Sequence, residues 1–570
     1  MRRSTRAIAT QFRRSDYLPR VPTTRVLRNS AAVSAHLAQL SVRRAARGGV
    51  SQRKAQGAHY TPEPLVAHLI GEATRGWKPS SPAWKLVDPA CGSGNFLVAA
   101  ARELAPRVRE PMARFLAERV HGVDIDPVAV KLARASLLAM LPARTASATR
   151  AKVARALARH VVELDALSPK AARFLDSDGF DLILGNPPFL NQLEKGTAAT
   201  RARAGEIAVA TGGAVKRYAD LAVAFLLTSL PRLAPGGRLA FVMPQSFLST
   251  GDARGARDAA LGLASLRAIW SCRESIFEDA NVRVCAVAFE RDGARRKSSG
   301  VRRAFGADFR ALRGSVAAPR PGDESWATLL ADGFGAPRAA VTQRTEGGAI
   351  GDIAFATADF RDQYYGLRGA IVEDGAGPRL VTTKHIDLAH CAWGSCDIRA
   401  LGEKFARPTI ARERLDGVKG MHAWLDARLV PKILVATQTR VIEAWVDARG
   451  EAAPLVPLIT VTPRDGVDIW KLAAAVASPV VAARALALYA GSAMSAGAIK
   501  LSAKQLLAMP LPTDAAAWRA SAAHFKSASN ARSADARASA LTEFAEASCA
   551  AHGLRGGELR EVMEFWTSRV

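Results

Sequence analysis

Between residues 56 and 292, seven short apolar runs alternate with stretches of helical periodicity. That order restricts the chain to an open, mostly parallel sheet, because parallel strands need crossover helices between them. The runs are KLVDPA (85–90), RVHGVDID (119–126), HVVELDAL (160–167), FDLILG (180–185), RLAFVMP (238–244), LRAIWSC (266–272) and RVCAVAFE (283–290). Between them, YADLAVAFLLTSLPRLA (218–234) repeats its apolar residues at helical spacing and stops at Pro235-Gly236-Gly237. The pattern predicts an α/β fold with a doubly wound, mostly parallel seven-stranded sheet. In such sheets ligands collect beyond the carboxyl ends of the strands.

The remaining chain organises around this segment. At 570 residues with 49% hydrophobic content it can bury two substantial cores. Residues 1–55 read as a basic arm, 56–295 as the sheet domain, 296–345 as a linker or irregular insertion, 346–513 as a mixed α/β domain, and 514–570 as an Ala-rich helical extension. Lys and Arg number 79 against 52 Asp and Glu, a formal net charge of +27 that suits a polyanionic partner, although biased Arg and Ala usage would raise it too. None of the six cysteines forms a C-x-x-C pair, which suggests a reducing compartment and a cytoplasmic location. His385, His390, Cys391 and Cys396 cluster without a familiar zinc spacing, so no metal is expected. The apolar stretch 471–494 carries Pro479 and Arg484 in its middle, which predicts a buried helix pair and no membrane span.

Three strand ends carry acids. LVDPACGSGNF places Asp88 at a strand end, with Pro89 and Ala90 leading to Gly92 and Gly94 in a tight turn before a helix. Glycines allow positive backbone angles and close ligand approach, and the helix start offers free amides with partial positive charge. The spacing is not G-x-G-x-x-G, which favours a ligand with a carboxylate over a pyrophosphate. GVDIDP puts Asp124 where an acid can accept both hydroxyls of a ribose, and ELDAL puts Asp165 where an acid can accept from an adenine amino group. Each acid alone also fits a helix cap or a solvated strand end.

These motifs resemble those of the S-adenosylmethionine-dependent amino-methyltransferases acting on DNA, in particular the gamma class of adenine-specific enzymes from restriction-modification systems. The resemblance is close over 56–290 and loose beyond. GAHYTPEPLVAHLI (57–70) is similar to the family's first cofactor segment, implying that Tyr60, Thr61 and Pro62 touch the methionine part; DPACGSGNF, Asp124 and Asp165 fall on the central, ribose and adenine positions. The apolar strand FDLILG ends in Asn186-Pro187-Pro188-Phe189, which resembles the catalytic motif. An adenine amino nitrogen is a weak nucleophile because its lone pair is delocalised into the ring. The resemblance implies that the side-chain oxygen of Asn186 and the main-chain oxygen of Pro187 accept its two hydrogens, that the prolines fix that carbonyl, and that Phe189 stacks on the base. Family members often carry tyrosine at position 189, so a hydroxyl contact is missing here. SIFEDANVRVCAVAFE nominates Phe277 as a second stacking ring, for which an ordinary core aromatic is the plain alternative.

The family implies double-stranded DNA as partner, base flipping before transfer, and a target-recognition domain at 346–513, where IKLSAKQLLAMPLP (499–512) and KFARPTIARE (404–413) are similar to parts of such domains. The basic stretch 190–220 is read as a loop that orders on nucleic acid, with Lys195, Arg201, Arg203, Lys216 and Arg217 as phosphate contacts; a solvated insertion would have the same composition. Two alternatives stand beside DNA adenine: a methyltransferase acting on ribosomal RNA or a protein glutamine, and a DNA-binding specificity protein with a vestigial methyltransferase fold. No nuclease constellation is present in the sequence, so modification without cleavage is expected, with a separate restriction nuclease or defence-system proteins as partners.

Overall fold

The computed structural model describes residues 61–79, 81–175, 179–189, 201–214, 220–277, 282–291, 300–342, 347–359, 361–491 and 497–570. The chain divides into two compact units, one comprising residues up to Ala67 with Pro79–Gly185, the other His68–Lys78 with Asn186–Val570.

The first unit is built on four parallel strands, β1 (Leu86–Asp88), β2 (Val120–Asp124), β3 (Val161–Glu163) and β4 (Phe180–Gly185), in the order β3-β2-β1-β4. Every residue of β4 is buried, as expected of a parallel strand covered on both faces. Helix α1 (Glu63–Thr74) precedes the sheet, and α2 (Asn95–Arg107), α3 (Met112–Glu118), α4 (Pro127–Ala139), α5 (Ser147–His160) and α6 (Pro169–Leu175) connect its strands. The α4 start follows directly from sequence: the Asp126 side chain accepts from the Val128 and Ala129 amides, and Pro127 occupies the first turn, where its missing N–H costs nothing. Gly122 on β2 is required by close packing, because a Cβ there would stand 2.9 Å from Leu97 Cδ1 and 3.1 Å from Cys91 Sγ.

At the opposite end of these strands, His121 and His160 stack with ring centroids 4.6 Å apart, and His121 meets the Phe180 ring edge-on. Burial, reinforced by the neighbouring His160, pushes the His121 imidazole down to about 4. A histidine lowered in the folded state contributes stability above its unfolded pKa near 6.5 and loses it as the pH falls through 4. Stability is therefore expected to fall between pH 6.5 and 4, by up to about 1.4 kcal/mol per pH unit from this residue. Denaturant titrations at several pH values should show a shallower decline in a His121→Phe variant.

In the second unit, β5 (Leu233–Pro244), β6 (Ser265–Ser271), β7 (Val284–Glu290), β8 (Arg302–Phe305) and β9 (Arg310–Ala311) follow the order β5-β7-β6-β8-β9. β7 pairs antiparallel with both neighbours and is buried along its whole length. Among the described residues this sheet thus counts nine strands, correcting the seven expected. The two extra strands lie in the arginine-interrupted stretch 302–311, which reads as irregular because its charges hide the strand pattern. Partners distant in sequence accommodate those charges: Arg302 Nε donates to Glu72 Oε2 at 2.7 Å, and Arg303 Nη1 to Asp332 Oδ1 at 2.9 Å and the Leu329 carbonyl.

Beyond residue 346 the second unit carries two four-stranded sheets. One contains Ala354–Ala358, Ile459–Pro463, Lys432–Val435 and Ala444–Asp447, and the other Ile371–Glu373, Pro408–Ile410, Arg379–Val381 and Ala452–Pro454, each in that order. The apolar stretch forms two buried helices, Ile469–Val476 and Pro479–Tyr489, broken before Pro479 and bent by 45°. Among the described residues no single helix is long and apolar enough to cross a membrane. Helices Ala515–Asn530, Ala534–Ala551 and Gly556–Thr567 close the chain.

Candidate active site

Because β3, β2 and β1 are parallel neighbours, their carboxyl ends bring three acids into a row. Asp88 is the last residue of β1, Asp124 the last of β2, and Asp165 lies two residues past β3. Adjacent strands stand about 4.8 Å apart, so the row spans roughly the length of a nucleoside.

The glycine turn is fastened to this row. The Asp124 carboxylate accepts from the Gly92 amide through Oδ2 at 2.8 Å and from the Asp126 amide through Oδ1 at 2.9 Å. The Cys91 amide donates to the Val123 carbonyl at 2.9 Å, drawing the turn onto β2. Gly92 and Gly94 have φ of 52° and 91°, left-handed values that side chains resist. Gly94 also caps α2, and a Cβ there would press on Ala133 at 3.1 Å.

Asp88 is buried, and its Oδ1 accepts from the Ala90 amide at 2.9 Å. Among the described residues Oδ2 has no hydrogen-bond donor. Burial pushes this carboxyl up to about 8, with the Asp124 charge acting in the same direction and the Ala90 amide opposing. A buried acid beside another acid favours a cationic ligand group, which would restore its ionised form. Asp165 accepts from the Leu167 amide at 3.0 Å, a turn contact that fixes its carboxyl at the strand end.

Of the first cofactor segment, Thr61 and Pro62 are described and Tyr60 lies outside the described residues. The Thr61 carbonyl accepts from Asn95 Nδ2 at 2.9 Å, so the first residue of α2 holds this segment. Sequence reasoning quoted Asn95 within its motif without assigning it a task. It also passed over Ile125, which is 71% exposed between Asp124 and Asp126. An isoleucine between the strand-end acid Asp124 and the helix cap Asp126 is the signal the sequence holds for it.

The segment that resembles the catalytic motif opens the second unit. β4 ends at Gly185, and Asn186-Pro187-Pro188-Phe189 follows with Pro187 buried and Asn186, Pro188 and Phe189 part-buried. The Phe189 ring meets the Phe277 ring at 6.4 Å between centroids and 69° between planes, an edge-to-face pair. Phe277 is only 5% exposed, and the Ser275 hydroxyl donates to its carbonyl at 3.2 Å. A base stacked face-to-face between two rings needs roughly 7 Å, twice a carbon–carbon contact, and parallel planes. The observed 69° between the planes is not that sandwich geometry. Of the basic loop, Lys195, Lys216 and Arg217 lie outside the described residues; Arg201 and Arg203 fall on the helix Arg201–Ala210, with their side chains outside the description. Among the described residues no group of three or more His, Cys, Asp or Glu side chains could hold a metal.

Comparison with known proteins agrees with this architecture. Residues 49–301 match the model of the N-6 DNA Methylase family. Over 211 residues the chain is 24% identical to the Type II methyltransferase M.VspI of Vibrio sp. (strain 343), an alignment covering 37% of this chain and 42% of that protein. The chain thus spans less than half the length of this curated relative. The Type IIL restriction-modification enzyme MmeI, solved in complex with DNA, superimposes with a TM-score of 0.56 at 15% identity, covering 91% of this chain and 79% of that one. That likeness extends the shared fold beyond the methylase segment.

Proposed function

We propose that this chain, whose residues 49–301 match the model of the N-6 DNA Methylase family, is a site-specific DNA methyltransferase that transfers a methyl group from S-adenosylmethionine to the N6 amino group of adenine. The observation that carries the reading is the Asn-Pro-Pro-Phe segment leaving β4, a strand flanked by the one that ends in Asp88. S-adenosylmethionine supplies an electrophilic sulfonium methyl. The acid row and glycine turn fit its parts: Asp88 Oδ2 suits the methionine ammonium, Asp124 the ribose hydroxyls, Asp165 the adenine amino group, and Ile125 the adenine face. Thr61 and Pro62, held by Asn95, border the methionine end.

Asn186 and the Pro187 carbonyl accept the two hydrogens of the target amino group. This localises the nitrogen lone pair and turns it towards the methyl carbon. Phe189 carries the base face, a stacking contact worth about 1–3 kcal/mol. The target must leave the duplex to reach such a site. As the nitrogen–carbon bond forms, the sulfur–methyl bond breaks with its electron pair passing to sulfur, S-adenosylhomocysteine leaves, and the methylated ammonium sheds a proton to solvent. Positioning supplies much of the acceleration, and no metal step is required.

Residues 346–513 are assigned the reading of the DNA target, with the enzyme acting in the cytoplasm within a restriction-modification or phage-defence system. Any cleavage is assigned to a separate protein. Incubation with methyl-tritiated cofactor and unmethylated DNA, followed by nucleoside analysis, should place the label in N6-methyladenine. Label confined to RNA or to a protein would reject the reading.

The raised Asp88 carboxyl gives this function a pH signature. Below about 8 the acid is protonated without ligand, and a bound ammonium favours its ionised form, so binding releases a proton. Cofactor affinity should rise by up to tenfold per pH unit towards pH 8 and level off above it. Calorimetry in two buffers of different ionisation enthalpy should detect the proton below pH 8, and Asp88→Asn should abolish its release.

A further inference from the structure

Arg440 and Arg569, far apart in sequence, meet through hydrogen bonds, and the charge of Arg273, four residues before Phe277, acts on Arg569. Arg569, just past the last helix, donates from Nη1 to the Arg440 carbonyl at 3.2 Å and to the Gly497 carbonyl at 2.7 Å. Arg440 returns a bond from Nη2 to the Ser568 carbonyl at 2.8 Å. Arg273, four residues before Phe277, donates from Nη2 to the Gly333 carbonyl at 3.2 Å, and its own carbonyl accepts from Arg283. A Cβ on Gly491 would strike the Gln245 side chain at 2.3 Å, and the Gln245 amide donates to the Arg283 carbonyl; Gly497 lies six residues on, against Arg569.

The charges are not neutralised where they meet. Among the described residues none of Arg273, Arg440 and Arg569 pairs with a carboxylate within 4 Å, although Glu274 neighbours Arg273 in sequence. Burial pushes the Arg569 guanidinium down to about 10, and the charges of Arg273 and Arg440 act in the same direction. Arg273 and Arg440 are exposed. Each guanidinium has five donors, and the hydrogen bonds above occupy one nitrogen of each side chain, leaving the rest of its fork for an oxyanion. Gathering like charges in this way is costly unless an anion offsets it.

We propose that Arg273, Arg440 and Arg569 form a clamp for the DNA backbone phosphates flanking the flipped nucleotide. The inference rests on the DNA reading above and adds a site to it. Phe277 touches Phe189, so a base lying on Phe189 keeps its own phosphates near the chain around Arg273. The clamp joins the catalytic core to the target-recognition segment through Arg440 and to the carboxyl-terminal helix through Arg569. Backbone contacts of this kind set register and orientation without reading sequence.

The test is the salt dependence of DNA binding by the full chain, wild type against Arg273→Gln/Arg440→Gln, with cofactor affinity and melting temperature as controls. Each lost phosphate contact lowers the log–log salt slope by about 0.9, so the double variant should lose roughly twelvefold of the salt sensitivity between 50 and 200 mM. The loss should be equal on target and non-target duplexes, and Arg→Lys at both positions should recover most of the slope. A wild-type slope in the glutamine variant, whether or not its melting temperature falls, would overturn the clamp while leaving the methyltransferase reading intact. Wild-type protein that neither binds nor methylates DNA would instead remove the reading beneath it.

Discussion

Asn186→Ala is expected to lower kcat about a thousandfold while changing the cofactor Kd by less than about twofold. The proposed work of the Asn186 side chain is to accept one amino hydrogen of the target base, and that bond strengthens as the nitrogen becomes tetrahedral and gains positive charge. Loss of one such preorganised group costs about 3–4 kcal/mol in the transition state and little in the ground state. The cofactor is assigned to the row of acids on β1 to β3, so its affinity should persist. Asn186→Asp retains an acceptor and should recover part of the rate. Single-turnover methylation, with calorimetric titration of cofactor, separates the two quantities. A variant that loses cofactor binding in proportion to rate would place Asn186 in the cofactor site instead.

Asp124→Ala should weaken cofactor binding by about 10² to 10³-fold. Its carboxylate has two tasks. It holds the turn through the Gly92 and Asp126 amides, and in the proposed function it also accepts from the ribose hydroxyls. Hydrogen bonds to a charged group contribute about 1.5–3 kcal/mol each, and removing the acid also leaves the Gly92 amide without this acceptor. Asp124→Asn keeps one carbonyl oxygen and should fall between. Equilibrium dialysis with labelled cofactor measures the effect. An alanine variant with unchanged affinity would show that the acid is only a turn fastener.

Much of the core was legible because buried parallel strands are written as uninterrupted apolar runs. FDLILG and VCAVAFE are buried from end to end, and neither needs a distant partner to be recognised. The acids could be chosen from sequence for the same reason: each stands where an apolar run stops, and parallel pairing aligns those stops. β8 and β9 were missed because Arg302 and Arg303 break the apolar pattern, and their acids, Glu72 and Asp332, become visible only once the chain has folded. Asn95 was passed over because its task is a bond to a carbonyl 34 residues earlier. The arginine cluster could not be read at all, since Arg440 and Arg569 are 129 residues apart and meet through main-chain carbonyls that leave no mark in the sequence.

The Phe189 and Phe277 rings meet edge-to-face, and in the proposed function an arriving base replaces that contact with stacking. Phe277 is therefore both a core aromatic by exposure and a candidate stacking ring by position.

The central claim is tested most directly by expressing the full chain, and its Asn186→Ala variant, in a bacterial host lacking adenine methylation and mapping modified bases across the host genome. The account predicts N6-methyladenine at one short recurring sequence with the wild type and none with the variant. An unmodified genome in cells containing folded, cofactor-binding wild-type protein would contradict it.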